Sequence, residues 1–328
     1  MAPRDRIDPL ETFPAAEPAP AVSSAAKPMG QTEWTMLLGL ALVWGSAFVF
    51  IKLAVTSFEP VTYVWLRLAI AATALVAILR FRGERLALPL ALWASVGLLA
   101  LLNNVVPFIL FGWGQRHIAS GLAAILQATT PIFGVLAAHY LTSDERITSG
   151  RLIGVIVGFA GVATMIGPQL VSDGGKPLIA QIACLVASLL YALAGIHARR
   201  FQALGVGPLQ LATAQFVAGA VMLAPVALLL GQPWNGLPTS VSAWGAVMAL
   251  ALVCSAFAYI IFFRLIERAG ATNSLLVTLL VPPVAIAVGA LVFGERLGAN
   301  QLAGLLLIAA GLAVIDGRLF KRRRARPA

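Results

Sequence analysis

Long apolar stretches recur along this chain, separated by short polar interruptions. Ten runs stand out, at about 34 to 55, 60 to 79, 90 to 114, 118 to 141, 150 to 168, 178 to 198, 208 to 230, 243 to 263, 270 to 293 and 298 to 317. A helix needs about 20 predominantly apolar residues to cross a bilayer core. A membrane β-barrel would show shorter segments that alternate apolar and polar residues. Stretches such as GLLLIAAGLAVI do not alternate, so the pattern predicts helices. The expected fold class is an all-α integral membrane protein with ten transmembrane helices. Connectors of a few residues make consecutive helices antiparallel.

Composition agrees. Hydrophobic residues make up 60% and charged residues 11% of the 328, with mean hydropathy +0.91. Soluble domains carry about 25% charged residues, so this chain could not cover a water-facing surface. The formal net charge of +10 raises nucleic acid as a partner, but such a surface needs basic residues clustered on one folded face. Here they lie between apolar runs and in the tails. Cys184 and Cys254 sit inside apolar runs without metal or redox spacing, as buried free thiols would.

The basic residues instead set orientation, because Lys and Arg are retained on the cytoplasmic side. Alternate loops hold Arg80, Arg82 and Arg85, then Arg146 and Arg151, then Arg199 and Arg200, then Arg264 and Arg268. The other loops hold only Arg116, Lys176 and Arg296. Both ends fall on the basic side, where Arg318, Lys321, Arg322, Arg323, Arg324 and Arg326 follow the last run. The expected location is the cell (inner) membrane with both termini cytoplasmic, the C-terminal cluster touching anionic lipid. Residues 1 to 33 are rich in Ala and Pro and are expected to form a disordered cytoplasmic tail. Residues 318 to 328 form a basic one.

Two related segments expose a duplication. SDERITSGRLIGVIVGFAG starts at residue 143 and FGERLGANQLAGLLLIAAG at residue 293. Gly154 and Gly304 follow Glu145 and Glu295 at +9, and Gly161 and Gly311 at +16. Pro131 precedes its Glu by 14 residues and Pro282 by 13. The halves are therefore residues 34 to 168 and 178 to 317, with five helices each. Five is odd, so the second half enters the membrane from the opposite side. Such inverted repeats let secondary transporters build two alternating states around a midplane site. The Glu-Arg pairs mark helix ends at opposite faces, where ion pairing across a short connector is expected. The glycine ladders, with Gly150 and Gly158 added, are expected to pack helices closely.

The chain also resembles a known family. LVWGSAFVFIKLAV, NNVVPFILFGWGQRHIASGLAAIL, SLLYALAGIHARRF, AYIIFFRLIERAGATNSLL and both Pro to Glu-Arg to Gly segments look like the EamA-type branch of the drug/metabolite transporter superfamily. The resemblance covers about residues 34 to 317. It implies ten helices in two EamA repeats and export of small metabolites or drugs, with amino-acid exporters prominent.

Intramembrane polar groups are costly and face a cavity or the bundle interior. In the third run Asn103, Pro107 and Phe111 share a helical face, with Asn104 and Phe108 beside them. The fourth run adds Gln127, Thr130, Pro131 and Gly134. The pseudo-equivalent eighth and ninth runs carry Ser255, Tyr259 and Phe263, and Ser274, Thr278 and Pro282. Trp44, Ser46 and Phe48 in the first run and Ser188 and Tyr191 in the sixth complete the set. Taken singly, each Ser or Thr reads as glue between helices. The adjacent amides Asn103 and Asn104 read as a site, because they point in different directions and rarely both find partners in packed helices. Pro131 and Pro282 are expected to act as a functional hinge, since a proline opens the helix hydrogen-bond ladder.

No Asp or Glu falls deep in a run, and His117, His139 and His197 lie near run ends. Facilitated export or exchange is therefore expected rather than proton coupling. Lys52 is expected to snorkel to the interface. Arg67 sits about 10 Å into the second run at 1.5 Å per residue. It either pairs with Glu59 or lines an outer vestibule. The third to tenth runs have no basic residue at mid-depth, which argues against phosphorylated cargo. The expected cargo is neutral or zwitterionic and partly apolar, such as hydrophobic or aromatic amino acids. Multidrug, nucleoside or sugar export is the alternative. A nucleophile with its base and a metal motif are both missing from the sequence, which disfavours an enzyme. A channel lacks a charge ring, and a scaffold needs no polar stripes. No cofactor is expected. The expected partners are a small-molecule cargo and the lipid bilayer, as monomer or homodimer.

Overall fold

A computed structural model describes residues 29–142, 147–172, 175–229, 240–274 and 276–316. The expected tails, apart from their helix-proximal ends, and the Glu145-Arg146 pair lie outside the described residues. The described residues contain no strand. They fold as ten helices, because a chain in hydrocarbon must satisfy its backbone polar groups internally. These are α1 (Gln31–Val55), α2 (Pro60–Phe81), α3 (Leu90–Gly114), α4 (Ser120–Leu141), α5 (Ser149–Ser172), α6 (Lys176–Ala203), α7 (Pro208–Leu229), α8 (Val241–Ala269), α9 (Ala271–Ser274 and Val277–Phe293) and α10 (Ala299–Asp316). Eight are long and apolar enough to cross a membrane, and the main segment of α9 and α10 are shorter apolar helices. The start of α1 defines what is called here the terminal face, and its end the opposite face.

Helix packing carries the duplication. α1 packs on α8 and α9, and its counterpart α6 packs on α3 and α4. The contact of α2 with α8 is matched by that of α7 with α3. The pairs α2 with α7, α4 with α9, and α5 with α10 each join an element to its own counterpart. Exchanging the two halves therefore reproduces these main helix contacts, as expected of two five-helix inverted repeats.

The glycine ladders close the α5–α10 pair. A Cβ on Gly154 would lie 2.6 Å from the Gly311 carbonyl oxygen, and one on Gly161 2.7 Å from that of Gly304. The reverse substitutions meet the same backbones. Gly158 lies against Gly311, whose Cβ would come 2.8 Å from its backbone nitrogen, and also receives Ile132, whereas Gly150 faces open space, so all the ladder glycines but Gly150 make the helix–helix contact.

Four helices depart from the continuous α-helical runs expected. α4 breaks at Ala128 and Thr129, with Pro131 in the first turn of its second segment. A proline fits there because the first-turn N–H groups have no intrahelical partner. α9 is interrupted before Val277, whereas Pro282 and Pro283 lie inside its continuous main segment. The break in α9 is therefore not at the proline, and the expected hinge symmetry between Pro131 and Pro282 does not hold in the backbone. α3 is wound as a π-helix over Leu101–Val105, and α8 over Ala249–Phe257. These are counterpart helices, and π-turns gather at functional sites. In α3 the cause is Pro107, which has no N–H to offer the preceding turn. In α8 the Ser255 hydroxyl donates to the Leu250 carbonyl five residues back, at 2.8 Å.

Candidate functional site: a polar and aromatic column between two faces

The two π-turns set Asn103 and Ser255 toward the middle of the bundle. Asn103 Nδ2 donates to Gln215 Oε1 on α7 at 2.9 Å and to the Tyr259 hydroxyl at 3.4 Å. Around Tyr259 stand Trp44 at 6.5 Å, Phe216 at 5.6 Å and Phe263 at 5.7 Å between ring centroids. Trp44 also meets Phe262 and donates its indole N–H to the Cys254 carbonyl at 3.2 Å. Four helices, α1, α3, α7 and α8, thus converge on one amide–phenol centre.

From Phe263 a cavity of about 440 Å³ opens toward the terminal face, with Arg82, Glu84, Gln210, Arg264 and Glu267 in its wall. Toward the opposite face the column continues through Phe48, Phe111 and Tyr191, where Phe111 stacks on Tyr191 at 6.0 Å and meets Phe48 edge-on. Beside them lies Arg67, only 6% exposed. Its Nε donates to Ser255 Oγ at 3.1 Å, and its guanidinium lies 3.8 Å over the Phe108 ring. Tyr63 braces Phe108 by donating to its carbonyl at 2.6 Å. Of the two expectations for Arg67, pairing with Glu59 is excluded, because Glu59 takes Arg116 at 3.1 Å.

Arg67 is incompletely compensated. Burying an ion costs several kcal/mol after relaxation. A desolvated cation–π contact returns about 2 kcal/mol and one charged hydrogen bond about 1.5–3 kcal/mol. A guanidinium has five N–H donors, and among the described residues only Nε has a hydrogen-bond acceptor and no carboxylate pairs with the group. On the same helix as Phe108, Asn104 is fully buried with neither end of its amide hydrogen-bonded.

Beyond the column, at the opposite face, Glu295 links three helices. Gly294 ends α9 in a left-handed turn at φ 66°, which directs Glu295 back at the start of α4. Its carboxylate accepts from Lys52 Nζ at 2.5 Å, from Ser120 N at 2.9 Å and from Ser120 Oγ at 2.7 Å. A helix N-terminus favours an anion there. Glu295 therefore does not pair across its own connector. It joins α1, α4 and α9, and Lys52 is held by it rather than snorkelling freely. Burial raises the Glu295 pKa, but the hydrogen bonds from Lys52 and Ser120 together outweigh this and hold it below its ordinary 4.5.

The remaining residues of the expected site divide. Ser188 donates to the Leu126 and Cys184 carbonyls, and Thr130 to that of Gln127, which is the role of interhelical and local glue. Pro107 and Pro282 are buried, while Ser46, Gln127, Pro131 and Thr278 are half-buried. Ser274 donates to the Gly270 carbonyl. Sequence reasoning passed over Tyr63, Gln215, Phe216 and Phe262. Gln215 carried a usable signal, as an amide in the apolar run LATAQFVAGA. The aromatic residues carried none, because only packing separates them from other apolar positions.

The family model of the EamA-like transporter family matches residues 32–167 and 178–316. The chain is 29% identical over 293 residues to the protein of Escherichia coli strain K12 named Uncharacterized inner membrane transporter YedA, covering 87% of this chain and 91% of that one. It is 23% identical over 291 residues to Uncharacterized transporter YoaV of Bacillus subtilis, with 88% and 97% covered. It is 27% identical over 303 residues to a Probable terminal-alkyne amino-acid exporter of Streptantibioticus cattleyicolor, with 90% and 97% covered. A solved crystal structure superposes with TM-score 0.62 at 18% identity, covering 91% of this chain and all of the other, so the fold is shared. With two tandem family matches and ten helices packed as interchangeable halves, this chain belongs to the EamA-like transporter family and is a multi-pass membrane transporter.

Proposed function

We propose that the protein exports neutral or zwitterionic, partly apolar amino acids across the inner membrane by alternating access, with both termini cytoplasmic. The observation that carries this is the centre built by Asn103, Gln215 and Tyr259 inside walls of Trp44, Phe216 and Phe263. Apolar walls with a few placed polar groups suit a small organic cargo. The cavity on the terminal face reaches Phe263, so cargo enters from the side this reading assigns to the cytoplasm. The similarity to a probable amino-acid exporter supports the cargo class, and the basic loops on the terminal face support the direction. Among the described residues no carboxylate sits in the column, which favours facilitated exchange over proton coupling.

Counterflow in proteoliposomes tests this against amino acids, nucleosides, sugars and cationic drugs. Accumulation of hydrophobic or aromatic amino acids is expected, with loss in Asn103→Ala, Tyr191→Ala and Tyr259→Ala. Accumulation of only nucleosides, sugars or cations would refute the cargo, and unchanged transport in all three variants would refute the site.

A further inference from the structure

We propose that Arg67 is the anchor for the carboxylate of the cargo, and that the protein therefore selects monocarboxylates whether or not they also carry an ammonium group. The inference rests on the site proposed above and adds the group by which cargo is recognised. Arg67 is buried beside the column, stacked 3.8 Å over Phe108 and aimed by Ser255 through Nε alone. Stacking and a single Nε bond fix the plane of the guanidinium and leave its Nη atoms for a ligand. A guanidinium presents paired N–H groups that match the two oxygens of a carboxylate.

A second feature points to the same ligand. Asn104, on the helix that carries Phe108, is fully buried with both its amide nitrogen and its amide oxygen lacking a partner. A buried amide kept unsatisfied on both ends is costly in an empty protein, and a ligand with its own donors and acceptors offsets that cost. Charge count narrows the class further. One guanidinium with no other cation in the described column matches a single negative charge, as on a carboxylate, better than the near-double charge of a phosphate monoester. Conversely, no Asp or Glu of the described column awaits an ammonium group. Within the column that group meets ring faces and neutral oxygens, Glu84 and Glu267 lying in the cavity beyond Phe263, so it is dispensable.

The test uses the full chain in proteoliposomes with labelled L-phenylalanine as probe. 3-Phenylpropionate, which keeps the carboxylate and lacks the amine, should compete like phenylalanine. Phenylalaninamide, which keeps the amine and lacks the carboxylate, should compete about 10- to 100-fold more weakly, the worth of a charged hydrogen-bonded pair. Phenyl phosphate should compete no better than the amide. Arg67→Gln should lose the distinction between acid and amide, and Arg67→Lys should recover part of it. Ligand-induced thermal shift in detergent separates binding from folding: 3-phenylpropionate should raise the melting temperature of the parent and leave Arg67→Gln unmoved. Arg67→Gln alone should melt no lower than the parent, because it removes a buried charge that one hydrogen bond and one ring contact compensate incompletely. Equal competition by acid and amide, or retained discrimination in Arg67→Gln, would overturn the proposal. If monocarboxylates shift the parent while no amino acid is transported, the amino-acid reading fails and the role of Arg67 stands.

Discussion

The tie between Lys52 and Glu295 is predicted to hold the opposite face closed, and Glu295→Gln is the perturbation that measures it. The carboxylate gathers one ammonium and the Ser120 amide and hydroxyl from two other helices. Charged hydrogen bonds contribute about 1.5–3 kcal/mol each. Glutamine keeps an oxygen for the Ser120 amide, and Lys52, whose side chain is 27% exposed, turns to water when released. About 2 kcal/mol remains after screening. At 1.4 kcal/mol per decade, the population open at this face should rise about 30-fold. The reporter is Ser46→Cys, about two turns from Lys52 toward the centre of α1, in a background with Cys184 and Cys254 replaced. Its reaction with an impermeant maleimide from the opposite face should accelerate by that factor in Glu295→Gln, and similarly in Lys52→Met. The pH dependence has a definite sign. The pKa of Glu295 is depressed, so its contribution is complete above the ordinary 4.5 and is lost as pH falls through the lower native value. Because maleimide reacts with the thiolate, whose fraction falls with pH in both proteins, the readout is the ratio of the Glu295→Gln rate to the parent rate: it should hold constant between pH 7 and 5 and fall toward one only in stronger acid. An unchanged labelling rate in Glu295→Gln at pH 7 would refute the latch.

Two further outcomes separate packing from function. Gly311→Val should lower stability by about 1–3 kcal/mol or more through overpacking, since its Cβ would lie 2.5 Å from the Gly154 carbonyl oxygen. Gly150→Ala faces open space and should be neutral or raise stability by about 0.5–1 kcal/mol; thermal melts in detergent compare the two. Asn104→Leu exchanges an unsatisfied buried amide for an apolar group of similar size and should stabilise the fold by about 1–3 kcal/mol while abolishing counterflow; full transport by a stabilised variant would show that the amide serves no cargo.

What the sequence alone determined is what a bilayer enforces locally. Every spanning stretch must be apolar and helical, so ten helices were legible from run length. The duplicated Glu and Gly spacing revealed the two halves, and the odd helix number their inversion. Gly154, Gly161, Gly304 and Gly311 announced close packing because only glycine admits a neighbouring backbone. Asn103, Tyr259 and Trp44 could be chosen for the column because polar and aromatic residues stand out against hydrocarbon. Partner identity was beyond its reach. Glu295 was expected to pair nearby and instead meets Lys52, 243 residues away, because a left-handed turn and the contact of α1 with α9 bring them together. Arg67 had two readings until Arg116 took Glu59. The π-turn of α8, the break in α9 before Pro282 and the entry of Gln215 into the centre are likewise set by packing. A helix in lipid makes its own hydrogen bonds, so its sequence states that it spans. Which side chains meet depends on the rotation and depth of each helix against the others, and that is decided by tertiary structure.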